Sequence, residues 1–183
     1  VETNGVDKFI FVAEHVREEA IQLFNWDLNS TIVIPNYVDV NRLNQKKFPT
    51  ASKTLGIIGI VPQRKRLDRA LNLMRGLVQA DPSWKLIIKG KDPRNIEFMK
   101  APNRAKEMEY YYSQFERIEN EPLLKSSVSW DEFSISLSSW YRKIGYVLSP
   151  SDFESFHYSI ADGVASGAVP IIWPWDGAKE IYT

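Results

Sequence analysis

From residue 55 onward, short apolar runs alternate with segments whose apolar residues recur at helical spacing. The apolar runs cover residues 55–61, 84–88, 146–148 and 169–173. After the first run, a helical repeat is formed by Leu67, Ala70, Leu71, Met74, Leu77 and Val78. Strands that alternate with helices build a parallel sheet with helices on both faces. The pattern therefore predicts an α/β, Rossmann-like fold, whose ligands bind beyond the carboxyl ends of the strands.

The remaining segments follow less regular patterns. Strands are expected at residues 9–13 and 31–35, and helices at 14–24, 95–120, 131–143 and 153–166, with another helix beginning near Asp176. Asp131 is expected to cap the 131–143 helix, because aspartate is a favourable N-cap residue. Residues 1–30 are expected to be the tail of a preceding domain or an interdomain segment. Residues 31–183 are expected to form the Rossmann-like domain, cut at its carboxyl end.

The composition excludes several classes of function. Lys and Arg total 23 and so do Asp and Glu, so no net charge drives binding to nucleic acid. There is no Cys, which excludes disulfides and thiolate metal sites and fits a cytoplasmic protein. His15 and His157 are the two histidines and lack metal-ligand spacing, so no metal site is expected. The apolar runs are too short to span a bilayer.

The segment from residue 148 to 180 carries the most specific chemistry. Glu154 and Asp162 are eight residues apart, just over two helical turns, which predicts that both face one cleft. The backbone N–H groups of Ser155, Phe156 and His157 stand at the expected helix start, where a diphosphate can bind. Asp162 can accept the hydroxyls of a ribose, and Glu154 can contact a sugar. The alternative is that both acids are ordinary charges of a solvated helix.

One glycine in this segment predicts a packing constraint. Gly163 lies inside the expected helix, where glycine costs about 1 kcal/mol relative to alanine. Other small residues surround it in the sequence, namely Ala161, Ala165 and Gly167. We therefore expect this face of the helix to pack closely against the sheet.

The same segment resembles the donor-site motif of retaining glycosyltransferases of family 4. The matching positions are Glu154, Phe156, Asp162, Gly167 and Pro170, followed by a turn at residues 176–180. The sequence departs from the family pattern at two places. The second acidic residue is usually Glu, and His157 stands where the family has Gly.

Three shorter motifs support the resemblance in the right order. Residues 36–39 resemble the family's Asn-Gly-Val-Asp loop, with Tyr37 in place of Gly. Residues 59–65 resemble its Gly-Arg-x-x-x-x-Lys loop, with Lys65 at the phosphate-binding Lys and Ile60 in place of the Arg. Residues 90–93 resemble its Gly-x-Gly-Pro turn. Arg64 is expected to supply the charge that Ile60 lacks.

The resemblance implies one half of a two-domain GT-B enzyme of polysaccharide biosynthesis. Such an enzyme transfers a sugar with retention from a nucleoside diphosphate sugar to a glycan or lipid-linked acceptor, without a cofactor or catalytic metal. It implies a catalytic role for Glu154 and donor binding by Lys65, Arg64, Gly59, Ser155, Phe156, His157, Asp162 and Gly90. The acceptor site, and any peripheral contact with the inner face of a membrane, are expected in missing parts. The isolated chain is therefore expected to bind the donor without turnover.

Several alternatives remain open at this stage. The departures at Ile60, His157 and Asp162 fit a non-catalytic binding module of the same fold, and a nucleotide-sugar epimerase has similar architecture. A receiver-like signalling domain needs an acidic cluster after its first strand, which Gly59 and Ile60 do not provide. The basic run 64–66 also fits a solvated helix start or a nucleic-acid patch. Trp130 fits either a nucleobase platform or the core.

Overall fold

The computed structural model describes residues 5–131, 133 and 136–182. Its strands are β1 (Phe9–Phe11), β2 (Thr31–Val33), β3 (Thr54–Ile58), β4 (Lys85–Lys89), β5 (Val128–Asp131), β6 (Tyr146–Ser149) and β7 (Val169–Ile172). Over these residues β1 and β2 form a small parallel pair, and the other strands form one parallel sheet in the order β5-β4-β3-β6-β7. The boundary expected at residue 30 stays a prediction, and β2 pairs with β1 across it.

The helices are α1 (Glu14–Phe24), α2 (Val40–Leu43), α3 (Leu67–Ala80), α4 (Ala105–Asn120), α5 (Pro122–Lys125), α6 (Leu137–Tyr141), α7 (Tyr158–Ala165) and α8 (Ala178–Ile181). Short 3₁₀ turns lie at Leu28–Ser30, Pro49–Lys53, Gln63–Lys65, Pro93–Asn95, Glu97–Lys100 and Pro102–Arg104. Within the described ranges, no helix has both the length and the apolar composition that a membrane span needs.

Each face of the main sheet has its own apolar core. On one face, α3 and α4 pack against β3 and β4 through the buried residues Leu71, Met74, Tyr111, Leu55, Ile57, Leu86 and Ile88. On the other face, α2, α6 and α7 pack against the sheet through Leu43, Trp140, Tyr141, Val147 and Ile160. The predicted parallel sheet with helices on both faces is confirmed.

The strand order creates a crevice in the middle of the sheet. The chain runs outward from β3 to β4 and β5, and then returns to the other side of β3 to form β6 and β7. The direction of winding therefore reverses between β3 and β6, which pair through Leu55 with Tyr146 and Gly56 with Val147. In open parallel sheets, ligands bind at the carboxyl ends of the strands where this reversal occurs.

Three predicted helix boundaries are wrong. Asp131 is the last residue of β5 rather than a cap, and its side chain accepts a 2.7 Å hydrogen bond from Lys143. The helix in that region begins at Leu137, and Ser136 caps it. Residues 93–95, 97–100 and 102–104 form 3₁₀ turns, and two of these turns begin with a proline. Proline disfavours the α-helical conformation in the residue before it, so the long helix begins only after Pro102. The helix expected at residues 153–166 is α7, which begins at Tyr158.

The close packing predicted at Gly163 is confirmed. A Cβ atom added to Gly163 would lie 2.5 Å from Cγ1 of Val147. Gly163 is in α7 and Val147 is in β6, and both are buried. The missing side chain lets the helix approach the sheet, which offsets the low helix propensity of glycine.

Candidate donor-binding site

The loops after β3 and β6 meet at the crevice and join the residues that the sequence singles out. Lys65 follows β3, Glu154 follows β6, and the Lys65 Nζ atom lies 2.7 Å from Glu154 Oε1. The Arg64 guanidinium lies 3.4 Å from Glu154 Oε2. Two cations and one carboxylate thus meet at the topological switch point, the place between β3 and β6 where the direction of winding reverses. Sequence spacing alone did not predict this contact.

Glu154 is a buried and ionised carboxylate. Its side chain is 7% exposed, and Ser151 donates a 2.7 Å hydrogen bond to Oε1. Burial opposes the charge, but the positive charge that His157 acquires in acid, the ammonium of Lys65 and the hydroxyl of Ser151 outweigh it, so the pKa of Glu154 lies below its ordinary value. No sequence pattern pointed to Ser151, although it stands only three residues before Glu154.

Arg64 is the more accessible of the two cations. Its side chain is 41% exposed, whereas that of Lys65 is 17% exposed. The Arg64 guanidinium donates a hydrogen bond to the backbone carbonyl of Phe153 and lies 5.8 Å from the centroid of the Phe153 ring. Arg66 points elsewhere and forms 2.9 Å ion pairs with Asp68 and Asp152. The basic run is therefore divided, and two of its three cations serve the crevice.

His157 is buried beside Glu154 in a left-handed backbone conformation. Its φ of 60° lies in the region that favours glycine, which fits a position where the resembling family has Gly. Its Nδ1 lies 2.6 Å from Ser149 Oγ, which in turn accepts a 3.0 Å hydrogen bond from Trp175 Nε1. Burial, together with the charges of Lys65 and Arg64, lowers the pKa of His157 to about 4, so the ring is neutral at pH 7.

The backbone before α7 presents free donors. Within the described parts of the chain, the backbone N–H groups of Ser155, Phe156 and His157 donate no hydrogen bond. These amides directly precede the helix amino end, where the macrodipole favours an anion. The predicted anion-binding amides thus follow Glu154 directly in the chain, although they stand in a loop and not in the first turn of a helix.

Asp162 lies inside α7, whereas Glu154 stands in the loop before that helix. It lines a hollow of about 330 Å³ together with Tyr37, Val38, Asp39, Arg42 and Tyr158. Because Glu154 lies in a loop before the helix, their eight-residue separation does not amount to two helical turns. Burial raises the pKa of Asp162, and the charge of Arg42 works in the opposite direction. Asp162 is therefore a partly desolvated acid in the lining of this hollow.

Gly59 and Gly90 lie against each other at the ends of β3 and β4. A Cβ atom on Gly90 would stand 3.6 Å from the Gly59 Cα atom. A Cβ on Gly59 would meet no atom within 4 Å, so its backbone is open to a ligand. Trp130 donates a 2.7 Å hydrogen bond to the Gly90 carbonyl and lies 6.0 Å from the ring of Phe115. Trp130 thereby buttresses the Gly90 turn.

The chain has the fold of one part of GT-B glycosyltransferases. TarM superposes on 99% of this chain with a TM-score of 0.71 and 18% identity. HepE from Anabaena, solved with UDP and glucose, superposes on 95% with a TM-score of 0.71 and 17% identity. The pneumococcal O-GlcNAc transferase GtfA, solved with UDP and GlcNAc, superposes on 97% with a TM-score of 0.70 and 16% identity.

These similarities concern only a portion of each larger protein. This chain spans 32% of the TarM and GtfA chains and 46% of the HepE chain. Neither a protein-family model nor a curated protein matches the sequence. At these identities the comparison establishes the fold, and the chemistry has to be argued from the site.

Proposed function

We propose that this chain binds a nucleoside diphosphate sugar and forms the donor-binding part of a retaining, family 4-like glycosyltransferase. The observation that carries the proposal is the contact between Lys65 and Glu154 at the switch point. A phosphate-binding cation and a sugar-binding carboxylate have to lie side by side where a diphosphate joins a sugar. The solved neighbours HepE and GtfA bind UDP together with a sugar, which supports this ligand class.

The charges of the site suit a diphosphate. Lys65 and Arg64 each carry a positive charge, Glu154 carries one negative charge, and His157 is neutral, so the cluster has a positive excess. The negative charge of the leaving diphosphate balances this positive excess, and its oxygens accept hydrogen bonds from the free backbone amides of residues 155–157. Stabilising the charge that develops on a leaving group is often the largest contribution of an active site.

Glu154 is proposed to contact the transferred sugar. It is held by Ser151 and the two cations, and we propose that it lies near the anomeric carbon of the sugar, next to the diphosphate. Transfer also requires an acceptor held against the donor, since orientation supplies much of the rate. We assign the acceptor, a glycan or lipid-linked group, to other parts of a longer protein, and we propose that no cofactor takes part.

Replacement of Lys65 by Met tests the diphosphate assignment. We expect UDP binding to weaken at least about tenfold, since a charge-assisted hydrogen bond contributes about 1.5–3 kcal/mol. Uridine binding should change little, and the wild-type affinity for UDP should fall with salt. Isothermal titration calorimetry measures these affinities.

Lys100→Met is the matched control, because Lys100 is an exposed lysine paired with Glu97 on the surface. Equal losses of UDP and uridine binding in the Lys65 variant would indicate damage to the fold and contradict the assignment. A non-catalytic binding module makes the same binding predictions. Turnover of a UDP-sugar by the whole protein, lost on replacement of Glu154 by Gln, separates the enzyme from such a module.

Replacement of Asp162 by Asn tests its proposed role at the ribose. We expect the free energy of UDP binding to become less favourable by about 1–3 kcal/mol, the range for loss of a hydrogen bond to a charged partner. Because burial raises the pKa of Asp162, removal of its charge should not reduce the free energy of unfolding. Calorimetry and urea unfolding measure the two effects. Asp7→Asn, at an exposed position, is the control, and unchanged UDP affinity in Asp162→Asn would refute the assignment.

A further inference from the structure

We propose that His15, in the first helix, is a positioning residue that holds the Glu154 loop in place. The His15 Nε2 atom lies 3.1 Å from the backbone oxygen of Glu154, across 139 residues of sequence. A carbonyl oxygen only accepts hydrogen bonds, so Nε2 carries a proton and donates it. The side chain of α1 thereby fixes the backbone of the residue whose carboxylate meets Lys65.

The His15 ring is enclosed by the loops around it. It lies 6.4 Å from the ring of Phe153 and 6.1 Å from the ring of Trp175. A Cβ atom on Gly177 would stand 2.1 Å from Nδ1 of His15, so the Gly177 backbone covers the ring closely. These contacts leave the imidazole little freedom to turn away from Glu154.

Glu180 fixes the other end of this arrangement. Its carboxylate accepts hydrogen bonds of 2.7 Å from the Glu14 N–H and 3.2 Å from the His15 N–H at the start of α1. Its Oε2 atom lies 3.5 Å from Nδ1 of the His15 ring. Burial opposes the charge of Glu180, but these donors outweigh it and hold the pKa of Glu180 below its ordinary value. A single carboxylate thus anchors the start of α1 and lies beside the ring that restrains the loop.

The consequence is a link between α1 and the sugar side of the donor site. Among the contacts of the described residues, the His15 ring bonds the Glu154 loop and bonds neither Lys65 nor Arg64, so it acts through Glu154. Loss of the ring should therefore loosen Glu154 and weaken contacts to a sugar more than contacts to a diphosphate. This functional consequence rests on the proposed donor site, whereas the restraint of the loop does not.

Cleavage by a glutamate-specific protease measures the restraint directly. The Glu154 side chain is 7% exposed, so cleavage there needs the loop to open, and native-state cleavage reports the population of that opening. We expect His15→Ala to raise the rate of cleavage after Glu154 about tenfold, as follows from the loss of a hydrogen bond and its packing. His15→Gln should restore a rate near that of the wild type, because its amide nitrogen can donate to the same oxygen.

Two internal references distinguish loop opening from global loosening. Cleavage after Glu97, whose side chain is 89% exposed, should not change. Cleavage after Glu107, whose side chain is 12% exposed in α4, rises only when the whole chain is destabilised. Glu19→Ala, at an exposed position of α1, is the matched control variant. An unchanged rate at Glu154, an equal rise at Glu107, or no rescue by Gln would overturn the proposal.

Calorimetry with UDP-glucose and UDP then tests the consequence for binding. His15→Ala should lose about tenfold more affinity for UDP-glucose than for UDP, and His15→Gln should recover most of the difference. Equal losses for the two ligands would overturn the positioning role. If the wild type binds neither ligand while His15→Ala still frees Glu154 for cleavage, the proposed function fails and the restraint of the loop stands.

Discussion

Replacement of Gly163 by Ala is expected to lower the free energy of unfolding by about 1–3 kcal/mol, the usual cost of an overpacked core. A Cβ atom at this position would lie 2.5 Å from Cγ1 and 2.9 Å from Cβ of Val147. Helix propensity works in the opposite direction, since Ala is favoured over Gly by about 1 kcal/mol inside a helix. We expect the clash to win, because both residues are buried between α7 and the sheet.

Gly76→Ala is the matched control for this prediction. Gly76 is also inside a helix, but a Cβ atom there would meet no atom within 4 Å. The same substitution should therefore stabilise the protein by about 1 kcal/mol. Opposite signs at the two glycines would show that local packing, rather than helix propensity, decides the effect. Urea unfolding measures both variants.

A second variant separates the clash from other effects at Gly163. Replacement of Val147 by Ala removes the two Cγ atoms that a new methyl group would meet. In the double variant, Gly163→Ala should cost less than in the wild-type background, so the two changes should not be additive. If Gly163→Ala stabilised the protein, the assigned contact between α7 and β6 would be wrong.

Acidification from pH 7 to pH 4 should lower the free energy of unfolding by about 3 kcal/mol through His157 alone. Burial and the charges of Lys65 and Arg64 lower the pKa of His157 from 6.5 to about 4. Each pKa unit of difference between the folded and unfolded states corresponds to about 1.4 kcal/mol. The contribution is fully present above pH 6.5 and is lost as the pH falls toward 4, because the unfolded chain binds the proton first.

His157→Asn isolates this contribution. Asparagine tolerates the left-handed backbone at this position, where φ is 60°, and does not titrate in this range. His15 is present in both proteins, so the difference between their stability curves reports on His157. Urea unfolding at a series of pH values should show a steeper loss of stability for the wild type between pH 6.5 and 4. Parallel curves for the two proteins would contradict a buried neutral imidazole.

Much of the fold could be predicted from periodicity alone. The runs at residues 55–61, 84–88, 146–148 and 169–173 all overlap strands of the main sheet, and the repeat beginning at Leu67 is α3. Local patterns failed where short turns compete with helices. Within residues 95–120, where a single helix was expected, 3₁₀ turns cover Glu97–Lys100 and Pro102–Arg104 before α4 begins. At Asp131 the pairing of β5 with β4 extends the strand through a residue that favours helix capping, and the helix begins only at Leu137 with Ser136 as its cap.

The candidate site shows the same division. The sequence by itself determined which residue types are present, namely a basic run after one strand, an acid after another and a glycine where a helix must approach the sheet. Only the tertiary structure decided that Lys65 and Glu154 meet across 89 residues, that Asp162 lines a hollow with Arg42, and that His15 reaches the Glu154 loop. The physical reason is the order β5-β4-β3-β6-β7, which sets the ends of β3 and β6 side by side. Strand order depends on packing between distant segments, and local spacing does not record it.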